Sequence, residues 1–469
     1  MKRRVCVIVL IGCLGPIDLY ASELSDQTPE LNDQAPDLNR PPDLHNQPNE
    51  WSGRIAAGLI ETDNVERTAT DPMSDTIEEV SADVALHEQT RRLDADVLSN
   101  LQYLNFAHDI YPHEVVGNFI GSSTFAVLPK EFEWVALDNF GQQQLDPTTA
   151  VTPINLENIN YFSTGPDLLI ALSPLVHAQV SARFSNVYYQ TSDLNNNRGD
   201  ASVALVRSLS ATSNVSLNVA AGRILYDDSA ANPDYTTQEA YLRYDAQGAR
   251  SKLAVDLGYD EVTGLSSTGA GPLVHVDATR VLSPASRLDL SFGQDISDTS
   301  NLLRQLQGLN GLAVNATYLQ RADDPFINRY ARAAWDFDRN RTFVNFDVAV
   351  YQERHLEDSS LNQVRTQSDV SVRRNLAPAL TASVGASYAR GTFTASAASY
   401  RNLSASAGLD WRIGRHLDVR TEYDRFDQRG DVMTNQYTEN RIGVTVGWQV
   451  DSTRLPGTIE RNGNAFPGL

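Results

Sequence analysis

Between Leu175 and Tyr226 the chain lays down a pattern that constrains everything after it. Val176, Ala178, Val180, Ala182 and Phe184 alternate with His177, Gln179, Ser181 and Arg183. A period of two sends the apolar set to one face of a β-strand and the polar set to the other. The alternation returns after the loop DLNNNRGD at Ala201, Val203 and Leu205, and after the turn ATSN at Val215, Leu217, Val219 and Ala221. A soluble sandwich core shows the same alternation, so the number of strands and the lengths of their connections have to decide.

The connections alternate between short and long. Turns rich in Gly, Pro, Asn, Asp or Ser fall at Ser173–Pro174, Ala211–Asn214, Ser283–Ser286 and Gly414–Arg415, among others. Between them lie long polar stretches such as Glu61–Thr76, Asp227–Thr237, Asp295–Asp324 and Asp427–Thr438. Sandwiches have no reason to keep that parity, and propellers or solenoids show a fixed repeat that this chain lacks. The parity predicts an all-β fold: a transmembrane antiparallel up-and-down β-barrel with its turns in the periplasm. Strands are expected from 51–60 through 438–450, about twenty of them. Should 115–127 and 131–140 fold inward as a hairpin or plug within 114–154, eighteen remain. Leu302–Gln320 reads either as a helix plus strand or as an extra hairpin.

One face of these strands suits lipid. Examples are Leu253, Val255, Leu257 and Tyr259, and Ile442, Val444, Val446, Trp448 and Val450 in the last strand. Aromatics at strand ends (Phe184, Tyr226, Tyr259, Trp335, Tyr388, Trp411, Tyr423 and Trp448) are expected to form girdles at the headgroup boundary. The opposite face carries charges of both signs, which an apolar core cannot hold. Its basic members, Arg183, Arg243, Lys252, Arg287, Arg332, Arg373, Arg412, Arg420 and Arg441, are the candidate lumen lining. They form either a ladder of paired charges across strands or a screen for charged solutes.

The first residues read as an address. Lys2, Arg3 and Arg4 precede the apolar stretch Val5–Leu14, and Leu19-Tyr20-Ala21 fits a signal-peptidase site, giving a signal peptide at 1–21. The competing reading, Leu10-Ile11-Gly12-Cys13, has the form of a lipoprotein box. Both cysteines lie here, so cleavage at Ala21 leaves no thiol. Residues 22–50 form a Pro-rich, disordered periplasmic linker with three near-copies of Pro-acid-Leu-Asn/His, and 451–469 a Pro/Gly/Asn-rich tail. No later apolar run approaches the roughly 20 residues of a spanning helix. The formal charge is -21, and losing residues 1–21 leaves about -23, which disfavours nucleic acid as a partner.

Motifs for chemistry are sparse. The eight histidines show no metal-ligand spacing along the chain, and no nucleophile elbow or phosphate loop occurs. Asp193 to Asp200 is similar to a calcium loop with its Gly one place late, and reads as a polar hairpin loop. No enzyme activity, cofactor or metal is expected. The segments FEWVALDNFGQ and NLENINYFSTGPDLLIAL, a strand ending at VYYQTSDLN, and the early GLIETDNVERTATDPMSDTI carry a resemblance. Together they resemble the outer-membrane β-barrel proteins associated with exopolysaccharide biosynthesis and the PEP-CTERM system, within the wider β-barrel porin class. That resemblance implies an outer-membrane channel for polysaccharide export, contacting lipid, polysaccharide or another polar solute, and periplasmic export components. A general or solute-specific porin is the alternative. Turn-loop parity also fixes sidedness. Cysteines at Asn197 and Asp431 are expected to label from outside on intact cells, and cysteines at Ser213 and Gly414 are not; the reverse pattern would overturn the parity argument.

Overall fold

The computed structural model describes residues 50–146, 148–301, 324–396, 398–431 and 436–451. The leader, nearly all of the Pro-rich segment, the tail beyond Asp451 and Leu302–Gln320 lie outside the described residues. Twenty strands form one sheet. The first five are β1 (Glu50–Thr62), β2 (Asp75–Gln89), β3 (Leu93–Phe106), β4 (Glu114–Leu128) and β5 (Phe132–Gln144). Next come β6 (Leu156–Ser173), β7 (Val176–Tyr189), β8 (Asn196–Ser210), β9 (Ser213–Tyr226) and β10 (Tyr235–Gly248). The second half begins with β11 (Ser251–Thr263), β12 (Gly269–Ser283), β13 (Ser286–Ser297), β14 (Phe326–Arg339) and β15 (Thr342–His355). It ends with β16 (Gln363–Ala377), β17 (Leu380–Phe393), β18 (Ser399–Ile413), β19 (Leu417–Gly430) and β20 (Tyr437–Asp451).

Each strand pairs antiparallel with its sequence neighbours, and β1 pairs with β20 from Ser52↔Asp451 to Thr62↔Arg441. The sheet therefore closes, and no edge strand offers unsatisfied backbone groups. β4 and β5 are wall strands, paired with β3 and β6, so the count is twenty. All nine turns at one rim have two or three residues, while the opposite rim carries connections of five residues or more. With strands about 4.8 Å apart and tilted about 40°, twenty give a backbone diameter of roughly 40 Å. Side chains alone do not fill a lumen that wide.

The outer face is an apolar belt. Leu242, Leu257, Val384 and Ile442 are each more than half exposed. A water-soluble protein rarely exposes so much contiguous apolar surface, whereas lipid covers it. All five tryptophans, Trp51, Trp134, Trp335, Trp411 and Trp448, face outward near the turn rim. Tyr103, Tyr188, Tyr259, Tyr388 and Tyr423 stand on the outer face toward the loop rim. Tyr226 does not join them. It shares the parity of buried Ile224 and packs inside the barrel with Tyr235 and Val262, because parity and not nearness to a strand end decides the face.

The strands also run further toward the loop rim than the apolar pattern indicates; β8 begins at Asn196 and β16 at Gln363. Fourteen residues at about 3.3 Å each, tilted about 40°, rise roughly 35 Å, against an apolar band of about 25 Å. The excess stands above the lipid, where the outer face is polar and alternation no longer marks the strand.

The seam between β20 and β1 has its own fastening. Arg54 reaches across β20 to Asp418 on β19 (Nη2 to Oδ2 2.7 Å) and also touches Asp83 on β2 (3.4 Å). It lies over Gly447, where a Cβ would come within 2.6 Å of its guanidinium. Glycine there is a matter of clearance. The two faces predict different costs. Val446, in the middle of the apolar run of β20, is lipid-facing, and Val446→Arg is expected to cost roughly 2–4 kcal/mol and deplete the folded band on unboiled gels. Arg420→Ala, on the inner face, should leave that band intact; loss of the band from Arg420→Ala alone would mean that the faces are exchanged.

Candidate functional site in the barrel lumen

Strand parity puts all nine candidate bases on the inner face, and pairing across strands determines their surroundings. Arg183 meets Asp167 on β6 at 2.7 Å, Arg332 meets Asp347 on β15 at 2.5 Å, and Arg420 meets Asp410 on β18 at 3.2 Å. Arg243 and Arg287 pair with Asp245 and Asp289 two residues along their own strands, at 3.0 and 2.8 Å. Arg441 pairs with Glu439 at 2.7 Å. Arg373 lies over the Phe343 ring, 4.9 Å from its centroid. Lys252 and Arg412 sit at the exposed turn end.

These bases are the minority charge. On the inner face of the described strands acids outnumber them, including Asp83, Asp94, Asp256, Asp295, Asp347 and Glu422. Some carboxylates take only neutral donors in hydrogen bonds: Asp369 accepts from Gln367 (3.0 Å) and Asp336 from Asn345 (2.8 Å). A surplus of one sign on low-dielectric walls creates a potential that attracts the opposite charge.

The lumen is open toward the turns and packed toward the loops. Two segments cross it beneath the loop rim. Residues 145–155 leave β5, and Thr148 O accepts from Gln428 on β19, six strand positions away, at 3.3 Å. Val151 O accepts from buried Arg67, whose guanidinium also holds Glu439 at 2.7 Å and lies over Phe426 and Tyr437. From the other side Asp298, just after β13, reaches Arg198 on β8 (2.9 Å) and the Tyr235 hydroxyl on β10 (2.9 Å), while Ser300 meets Tyr189 on β7 (3.1 Å). A third anchor ties Asp324 to His355 at 2.8 Å and to the N–H groups of Glu357 and Asp358.

Burial alone would push the Asp298 carboxyl up, but the Arg198 guanidinium, the Asn301 N–H and the Tyr235 hydroxyl hold it below the usual carboxylate range. Asp324 is likewise held low against burial, by His355 and the two backbone N–H groups. Sequence spacing could not show the contacts of Thr148, Val151, Asp298 and Ser300, because each joins strands distant along the chain that only the closed barrel brings together. Asp324, by contrast, meets His355 across the β14–β15 hairpin. His87, Asp94 and Asp96 come together more locally, their ligand atoms within 4.8 Å of one another near the β2–β3 turn. Cross-strand register sets His87 opposite Asp96 there, and the three side chains could hold a divalent cation.

A closed antiparallel barrel of this size, apolar outside and polar inside, with tight turns at one rim, has the fold of outer-membrane porins and transporters. The family model described as "Putative beta-barrel porin 2" matches residues 327–450, from β14 to β20. Solved structures similar to this chain include the FrpB iron transporter from Neisseria meningitidis (F5-1 variant), with 9% identity, 86% of this chain and 83% of that one covered, and a TM-score of 0.45. The ferric citrate transporter FecA in its unliganded form is similar at 8% identity, with 86% and 79% covered and a TM-score of 0.45. Acinetobacter baumannii OccAB3 is similar at 9% identity, with 86% and 99% covered and a TM-score of 0.34. No curated protein matches the sequence.

The Asp298–Arg198 pair carries a pH dependence of known sign. A depressed carboxylate stabilises the crossing segment above its unfolded pKa of about 4, and that contribution fades as pH falls below it. Ser300→Cys should therefore be protected from a pyridyl disulfide, which reacts with thiols in acid, near pH 6. It should become reactive only as pH falls through the depressed pKa of Asp298, below the usual carboxylate range. Adding Arg198→Ala should make it reactive at pH 6, because a buried carboxylate left without its partner costs about 3–5 kcal/mol. Equal reactivity in both backgrounds would remove the latch role from this pair.

Proposed function

We propose that the protein is an outer-membrane conduit for a hydrophilic polymer, delivered by its N-terminal signal, and that the polymer is an extracellular polysaccharide. The observation that carries this reading is the wide lumen lined by polar and charge-paired side chains. Inner tyrosines add hydroxyls to the same wall: Tyr330 and Tyr351 lie 6.5 Å apart on adjacent strands, which suits hydrogen bonding to sugars. The acidic surplus on the walls favours a neutral or positively charged chain over a polyanion. The basic side chains then act as fixed partners that hold carboxylates in place, and periplasmic components feed the open turn end.

A small-solute porin is the second reading, favoured by the family match over β14 to β20. Deletion of the gene separates the two. Under the export reading, surface polysaccharide falls and polymer accumulates in the periplasm, while small-solute uptake is unchanged. Unchanged surface polysaccharide with slowed uptake would give the porin reading precedence. In planar bilayers under a salt gradient, the reversal potential should have the sign of cation preference; preference for anions would contradict the wall charge as the determinant.

A further inference from the structure

Outside the barrel, just beyond the tyrosines of the loop rim, arginines gather in one sector. Arg390 on β17, Arg401 on β18 and Arg429 on β19 are direct register partners, Arg390↔Arg401 and Arg401↔Arg429, and all three are exposed on the outer face. Arg329 on β14, Arg354 on β15 and Arg425 on β19 extend the row at the loop end of the same face. Like charges set directly opposite one another on adjacent strands repel. Among the described residues, the carboxylate paired with one of them is Asp427, which meets Arg429 at 2.8 Å. In a chain of formal charge -21 such a concentration of bases runs against the whole. The row also borders lipid: Tyr388 and Leu403 stand two residues below Arg390 and Arg401 on the same outward faces.

We infer that this row is a binding site for a phosphate-bearing lipid, with acyl chains against the apolar belt and phosphate oxygens between the guanidiniums. Three forked donors in register present more N–H groups than one carboxylate can take, and phosphate matches that fork geometry. An anion between Arg390 and Arg401 turns a repulsive cross-strand pair into two attractive contacts. Location at the edge of the belt selects an amphiphile over a free ion, because a free ion gains nothing from the adjoining apolar wall. The site is independent of what passes through the lumen.

The test uses the full barrel in non-ionic detergent, with dioleoyl phosphatidic acid as the probe, dioleoyl phosphatidylcholine as the lipid control and inorganic phosphate as the free-ion control. The variant carries Arg390→Gln, Arg401→Gln and Arg429→Gln together, and its folding is checked by mobility on unboiled gels. Phosphatidic acid is expected to raise the melting temperature of the wild type and to remain bound in native mass spectra. The triple variant should bind it at least about tenfold more weakly, with phosphatidylcholine affecting both proteins alike. Without phosphate or anionic lipid, the triple variant should be at least as stable as the wild type, since repulsion has been removed. Equal binding of phosphatidic acid by both proteins would overturn the proposal. So would stabilisation of the wild type by inorganic phosphate as large as that by the lipid, or a lipid-free loss of stability in the variant, which would mark the arginines as structural.

Discussion

Closure of the hydrogen-bond ladder is the constraint on which the rest depends. In hydrocarbon no water is available to satisfy a free N–H or C=O, so a spanning sheet has to meet itself. Here β1 and β20 are separated by nearly the whole chain and register over eleven residue pairs. Side chains reinforce that meeting at two levels. Arg54 crosses Gly447 to Asp418 toward the turn end, and Glu439 toward the loop end gathers Thr62, Arg67 and Arg441. The residues that complete the seam thus also begin the filling of the mouth.

Most of the wall was legible in the sequence, because a strand between lipid and water has to alternate and tight turns draw on a small set of residues. Val215 to Ala221 and Ile442 to Val450 could be assigned to a face from their parity alone. Legibility failed where the physical signal fails. Above the lipid both faces are polar, so strand ends such as Asn196 and Gln363 left no apolar mark. Tyr226 ends its strand as the girdle aromatics do, but its parity places it with buried Ile224. The contacts of Thr148 and Asp298 depend on partners many strands away, and no local pattern encodes them.

The filling of the mouth is polar. Arg67, Arg198, Glu439 and Asp298 are buried there, yet each has a partner of opposite charge. Such pairs add little net stability compared with apolar packing, but breaking one side leaves an uncompensated charge. That asymmetry makes the crossing segments well defined in position without fusing them into the wall. An apolar plug would instead adhere through surface area and tolerate many positions.

The distribution of the indole rings has a practical reach. Because all five tryptophans stand on the outer face near the same rim, they sit at closely similar depth in one leaflet. Intrinsic fluorescence from this protein is therefore a depth gauge for a single interface. Quenchers confined to that leaflet darken nearly all of the emission, and quenchers in the other leave most of it, so leaflet-selective quenching reports which way round a reconstituted barrel has inserted.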